Sequence, residues 1–548
     1  MHNTPHPSTR RIIYRKILVG ITAVSIAILL SACGTPAASP TGAKAATIRD
    51  GGALRAALTG EPDVLDPATS SIYTGAQVYE GIFSKLIDLD KSGKFLPDLA
   101  TAWKQTDAKT WTFTLVSNAT FHNGEKFTSA DVKYTFERIL NPSTASAYAG
   151  LYSQIDSVEA ATPTTVVFHL KAAFGPFLTN LATNGEIVNK KAIESKDPAR
   201  NPVGTGPFQF VEWVQGDHIL VKKNPSYFKK GLPHLDSITF KFLPVDQSRI
   251  DALSAGELDW ADAVPLQQVP TLKKDPRFTY VTSNVAGIPD FLALNTKKAP
   301  FNNPKVRQAI ALAINRSDIK NVAYLGTGGL GLTEMPTGST WYDDSGVFGV
   351  KSDIAKAKKL LAEAGFPQGL SVEYLGLSQY PELLKTGQVV RDQLKKIGID
   401  MSIKAVDVSV WYDAFSSGNY QITSAYQERT IDPDNFYSLV IRSGGPINTT
   451  GYSNPEIDAL IDKAASSNDT PARVKLYRQI RTTVSADAPL VFTHYETLNY
   501  LMNKNVTGST ISPTLSLHLE GVGFGTCSAK AVAMSMRRMN ATSSNCCA

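Results

Sequence analysis

Cysteine is nearly absent from this chain. Only Cys33, Cys527, Cys546 and Cys547 occur in 548 residues, and the whole stretch between positions 34 and 526 has none. That body must be held by packing, without disulfides or thiolate metal sites. The signatures of common catalysts are missing too: there is no Gly-x-Ser-x-Gly nucleophile elbow, no Walker A loop and no His-Glu-x-x-His pair. Charge of one sign is also scarce. The formal net charge is +6, and Arg10, Arg11, Arg15 and Lys16 lie in an acid-free stretch of 33 residues, which leaves about +2 for everything after it. A nucleic-acid binder needs a clustered basic face, so no nucleic-acid partner is expected. A secreted hydrolase is the rival reading from another class. Carboxylates are plentiful, but pairs of them without geometry support no glycosidase, and no nucleophile or metal motif stands beside them.

What the sequence does hold begins at its N-terminus. The apolar run 17–30 follows the four basic residues and is shorter than the ~20 residues a spanning helix needs, so it reads as a signal-peptide core. It ends in Leu30-Ser31-Ala32-Cys33-Gly34, which resembles the lipobox of bacterial lipoproteins. That resemblance implies lipidation at Cys33 and a membrane anchor. Residues 34–46, rich in Ala, Pro, Ser, Thr and Gly, then read as a flexible tether. The remaining residues are too many for one core, so two or three lobes are expected. The tail 526–548, with Arg537, Arg538 and a terminal Cys-Cys, has neither strand nor helix logic and is read as a disordered extension, not a metal site.

Between tether and tail, short strands alternate with capped helices. Trp111, Phe113 and Leu115 alternate with Thr, as do Val166, Phe168 and Leu170 in a second strand. Thr128-Ser129-Ala130-Asp131 has capping-box spacing, and Asn303-Pro304 is a cap followed by proline at the first helical position. A third helix follows Ser352 and stops at Gly365. A strand near Leu370, a helix ending at Gly398 and a strand from Ile399 then set a βαβ rhythm, which implies an α/β fold with a parallel or mixed sheet. Gly326-Thr327-Gly328-Gly329-Leu330-Gly331 matches a dinucleotide fingerprint, but a helix-like stretch precedes it where a strand is required, so it reads as a flexible loop. His122, in Phe-His-Asn-Gly, reads as a turn residue bonded to backbone.

The segments Glu61-Pro62-Asp63-Val64-Leu65-Asp66-Pro67, Leu96-Pro97-Asp98-Leu99-Ala100, Phe121-His122-Asn123-Gly124, Val203-Gly204-Thr205-Gly206-Pro207-Phe208, Phe301-Asn302-Asn303-Pro304 and Tyr452-Ser453-Asn454-Pro455 occur in family order. Together they resemble the extracytoplasmic solute-binding proteins of family 5, the dipeptide, oligopeptide and nickel-binding group of ABC importers. The resemblance implies a type II periplasmic-binding-protein-like fold: two lobes with a hinge, plus an extra subdomain. The expected plan is lobe 1 over 47–295 with the subdomain at about 95–201, lobe 2 over 296–490 and a return segment 491–525. It further implies a monomer without cofactor or metal that captures a solute by lobe closure and passes it to an ABC permease in the membrane.

A peptide offers an ammonium, a carboxylate and backbone amides, so its site should supply opposite charges, hydrogen bonds and aromatic walls. Tyr426-Gln427-Glu428-Arg429-Thr430-Ile431-Asp432-Pro433 resembles the family's ligand loop. Peptide binders of the family carry an aspartate where this chain has Arg429, and a cation cannot hold an ammonium. Three readings stay open. Glu428 takes the acid's role, or Arg429 grips an anionic group with its bidentate fork, or Arg429 is a structural partner of Glu428 or Asp432. No arginine stands near Ser378-Gln379-Tyr380, where dipeptide binders grip the ligand's carboxylate, so an oligopeptide is expected over a dipeptide, with an anionic metal chelate as the alternative. Tyr73 is a candidate pocket wall, and Trp411 is a candidate in a segment where aromatic core packing is the usual explanation.

Overall fold

A computed structural model describes residues 48–525, apart from 71, 346–347, 428–429 and 514–517 and the side chains of 283–287. Cys33, the signal segment, the tether, the tail, Glu428 and Arg429 lie outside the described residues.

The local signals form the elements they imply. Ser129–Leu140 is a helix with Thr128 and Asp131 in a reciprocal capping box, and Pro304–Ala313 starts with Asn303 accepting from Lys305 N. Thr110–Leu115 and Thr165–Leu170 pair antiparallel in a four-stranded sheet with Ala100–Asp107 and Ile155–Thr162. Helix 129–140 covers that sheet through Val132, Phe136 and Ile139, and a separate aromatic core of Phe113, Phe136, Phe168 and Phe177 closes between them. This is the extra subdomain. Arg138 ties it to the neighbouring lobe by a two-pronged bond to Asp66.

The main body is built on one eleven-stranded mixed sheet. In one half Ala53–Leu58 pairs parallel with Ser237–Phe242 and Trp260–Asp262. In the other Leu370–Leu377 pairs parallel with Ile399–Val406 and Ile422–Tyr426, with helix Pro381–Lys395 packed against them. Each half has its own buried cores. Two long antiparallel strands, Phe278–Leu294 and Leu490–Asn503, belong to both halves and form the hinge. Their register slips between Thr282 and Gly287. A pairing fault of this kind weakens the ladder locally and lets the strands bend. The C-terminal strand Gly523–Gly525 returns to pair with Ile48–Arg49.

The glycine-rich run behaves differently from the flexible loop expected of it. Gly329–Leu330 is a short strand on Tyr495 and His494 of the hinge. A β-carbon at Gly328 or Gly331 would overlap His494, so these glycines permit close backbone approach. His122 is bonded to backbone, with Nε2 3.1 Å from the Gly206 carbonyl and Nδ1 accepting from Gly204 N at 3.4 Å.

Candidate functional site

Where the hinge register slips, side chains from both halves converge. Ile288 is buried under Tyr73, Tyr426 and Leu498. Tyr73 opens helix Tyr73–Tyr79 on one side, and Tyr426 ends strand Ile422–Tyr426 on the other. The fold thus brings together two of the six ligand candidates, each half-buried over the hinge.

Buried polar groups back both tyrosines. The Tyr73 hydroxyl meets that of Tyr500, a fully buried hinge residue. Below lies Asp262, which accepts from Gln77 Nε2 at 3.1 Å; burial pushes its carboxyl up to about 6. Opposite Tyr426 in the ladder stands Asp290, 1% exposed, accepting from the Tyr324 hydroxyl at 2.7 Å. Burial, then the charge of Glu496, holds the Asp290 carboxyl well above the usual range. Tyr324 stacks on His494 with ring centres 3.6 Å apart, and burial pushes that imidazole down to about 3.

Beyond the tyrosines the subdomain faces lobe 2 across a cavity of about 230 Å3. Phe95, Trp111 and Leu178 form one wall; Trp341, Thr430 and Arg473 form the other. Trp111 Nε1, Thr430 Oγ1 and Asn468 Oδ1 are buried on residues lining this cavity and have no protein hydrogen-bond partner among the described residues. Buried polar atoms are normally satisfied, so this cavity is chemically suited to water or a polar solute. A wider groove of about 730 Å3 runs between Tyr148, Leu151 and Phe174 on one side and Asn435, Leu439 and Arg442 on the other.

Asp432 lies on the cavity wall with both oxygens occupied. Arg473 donates to them at 2.6 and 2.8 Å, and Oδ1 also caps helix Pro433–Phe436 by accepting from Asp434 N at 2.9 Å. Among the described residues, Arg473 is the cation paired with Asp432. This pair anchors the chain at the start of helix Pro433–Phe436. Trp411 packs in the core of lobe 2, stacked on Phe415 at 4.6 Å with Nε1 donating to Thr423 Oγ1 at 2.9 Å. Sequence reasoning missed Arg473, Trp341, Trp111 and Tyr500. Trp111 was visible as one position of a strand, but nothing local marked it as facing a cavity.

The family profile of bacterial extracellular solute-binding proteins, family 5, matches residues 94–447. The glutathione-binding protein GsiB of Pectobacterium atrosepticum is 29% identical over 479 residues, covering 82% of this chain and 90% of the relative. Among solved structures, the PBP AgaA in complex with agropinic acid, from A. tumefaciens R10, is 32% identical with a TM-score of 0.72, covering 87% of this chain and 99% of that one. The oligopeptide-binding protein AppA of Bacillus subtilis, in complex with a nonapeptide, is 26% identical with a TM-score of 0.73, covering 88% of this chain and all of that one. Hinged lobes, an aromatic interlobe cavity and matches spanning most of the chain agree: the protein belongs to the family 5 bacterial extracellular solute-binding proteins.

Proposed function

We propose that this protein captures a small anionic peptide-like solute, of the size of a tripeptide or an amino-acid conjugate, and delivers it by lobe closure to an ABC permease. The observation that carries this reading is the interlobe cavity. At about 230 Å3 it falls below the ~300–1,000 Å3 of drug-sized ligand pockets, which limits it to a small solute. Its tryptophan walls and unpartnered polar atoms suit a compact polar molecule better than an extended chain. Arg429, which precedes Thr430 of the cavity wall in the sequence, is a cation where family peptide binders carry an acid. It would pair with a ligand carboxylate. The relatives that hold glutathione and agropinic acid take anionic solutes of this size. In this reading Cys33 anchors a monomer to the membrane, and Tyr73 and Tyr426, which meet over Ile288, touch the solute from the hinge side, with Glu428 a further candidate contact.

Native mass spectrometry and calorimetric titration test the reading, with glutathione, agropinic acid, trialanine and a nonapeptide as probes. Binding of glutathione or agropinic acid that weakens at least tenfold in Arg429→Ala is expected. Tight binding of the nonapeptide, with no response to either anionic probe, refutes the reading and restores an oligopeptide carrier. A metal chelate remains the alternative, and retention of metal by the natively purified protein would reveal it.

A further inference from the structure

Lobe 2 and the subdomain touch at one place where the fit depends on a missing side chain. Gly175 lies in the loop between strand Thr165–Leu170 and helix Phe177–Asn184 of the subdomain. Its N–H donates to the Ala465 carbonyl, at the end of helix Pro455–Ala465 in lobe 2, at 2.8 Å. A β-carbon there would overlap the Ser467 carbonyl oxygen and lie 2.8 Å from Arg473 Nε. The Gly175 backbone is not in the left-handed region, so the glycine is required by close approach and not by its own dihedral angles. Two further contacts surround this seat. Ile431, from the lobe 2 loop, packs against the aromatic core of the subdomain, and Asn468 Nδ2 reaches the Ala108 carbonyl at 3.4 Å.

Arg473 joins the seat to the loop. The guanidinium that Gly175 approaches at Nε donates from that nitrogen to the Ala464 carbonyl at 3.1 Å, clamps Asp432 with its two terminal nitrogens and lies 4.9 Å from the centre of the Trp341 ring. Its side chain is 4% exposed and that of Asp432 1%.

We infer that Gly175 and Ile431 form an interlobe latch, and that Arg473 is the positioning residue through which the latch orders Thr430–Asp432 when the lobes close. Only the consequence for ligand affinity rests on the proposed function, because the latch can be followed with no solute present. Closing seats Gly175 on Ala465, excludes water from the Asp432–Arg473 pair and fixes the loop from the far lobe. Opening releases all three together.

The test is amide hydrogen exchange and small-angle scattering on the solute-free protein, comparing wild type, Gly175→Ala and Ile431→Ala. Gly60→Ala is the control, since no atom lies within 4 Å of a β-carbon there. Both latch variants are expected to speed exchange at least threefold in peptides spanning 430–436, on the lobe opposite the Gly175 substitution, and to raise the radius of gyration. The control should change neither. Faster exchange confined to the subdomain strands, or no change in 430–436, overturns the latch. Should Gly175→Ala fail to fold, Ile431→Ala decides alone, because its side chain is only half-buried.

Discussion

Replacing Arg473 by methionine should both destabilise the protein and leave a pH signature that identifies the cause. The substitution keeps most of the side-chain length but removes the two hydrogen bonds, at 2.6 and 2.8 Å, that neutralise Asp432. Asp432 is 1% exposed, and stranding a buried carboxylate costs about 3–5 kcal/mol. Asp434 sits beside it, its carboxyl pushed up to about 6 by burial and then by the charge of Asp432, while Ser438 and Arg473 pull it down. Without Arg473 the two acids face each other with no cation, so the folded state takes up a proton more readily than the unfolded chain does. Stability of the variant must then fall as pH rises between the unfolded and folded pKa values. Urea denaturation should show a loss of about 3–5 kcal/mol at pH 7.5, smaller by roughly 1–2 kcal/mol at pH 5. Adding Asp432→Asn should recover most of it, since an asparagine can still cap the Asp434 amide. A loss below 1 kcal/mol, an equal loss at both pH values, or a double variant as weak as the single one would refute the reasoning.

Other consequences follow from the buried titratable groups. Asp262, pushed up to about 6 by burial, disfavours folding once the unfolded chain ionises above pH 4, so Asp262→Asn should stabilise by roughly 2–3 kcal/mol at pH 7 and by nothing at pH 4. Thermal midpoints at the two pH values check this, and equal shifts would contradict it. His494 works in the opposite sense. Its folded pKa is about 3, so the unfolded chain binds the proton first on acidification, and stability drops by roughly 2 kcal/mol between pH 7 and pH 5 from this residue alone. His494→Gln should flatten that slope whatever its absolute stability; an unchanged slope would show that His494 protonates in place. Tyr73→Phe should cost about 1 kcal/mol through loss of the Tyr500 partner, read by the same melts.

The elements that local chemistry dictates were legible. Thr128 and Asp131 announce their helix because a cap satisfies amides within one turn, and alternation at Trp111, Phe113 and Leu115 follows from the pleat. What escaped was pairing over distance. Thr493 bonds to the Asp290 carbonyl across 203 residues, and nothing within either segment says so. Asp432 illustrates the same limit at the site. Its sequence neighbours offered Arg429 as a partner, and nothing near it announced Arg473, which bonds it from 41 residues away on another helix. The glycine run at 326–331 was misread because flexibility and close approach demand the same residue, and only the presence of His494 against it distinguishes them. Tyr73 and Tyr426 could be nominated by resemblance, whereas their meeting over Ile288 needed the hinge.

Two buried ion pairs lie within lobe 2: Arg473 with Asp432, and Arg481 with Glu334 beneath Tyr437. Groups so deeply paired cannot rearrange cheaply, so ligand-driven motion must fall on the hinge and on contacts made between lobes. The latch contacts identified above are few: one backbone hydrogen bond, one long side-chain bond and one half-buried isoleucine. At about 1 kcal/mol per hydrogen bond they bias the closing equilibrium without fixing it. Shifting a two-state population from 1:99 to 99:1 takes about 5.5 kcal/mol, and a ligand supplies it only through contacts it makes better in the closed form. Gly175 and Ile431 also line the cavity of about 230 Å3, so the two roles are separated by whether a loss of affinity is common to all solutes. Weakening the latch lowers the fraction of closed form, and the apparent affinity for every ligand that needs that form falls by the same factor. Altering a residue that touches solute changes the factor from one ligand to the next. Glutathione and agropinic acid, if both bind, should lose affinity equally in Gly175→Ala and unequally in Arg429→Ala. An unequal loss in Gly175→Ala would place that residue at the solute and not at a latch.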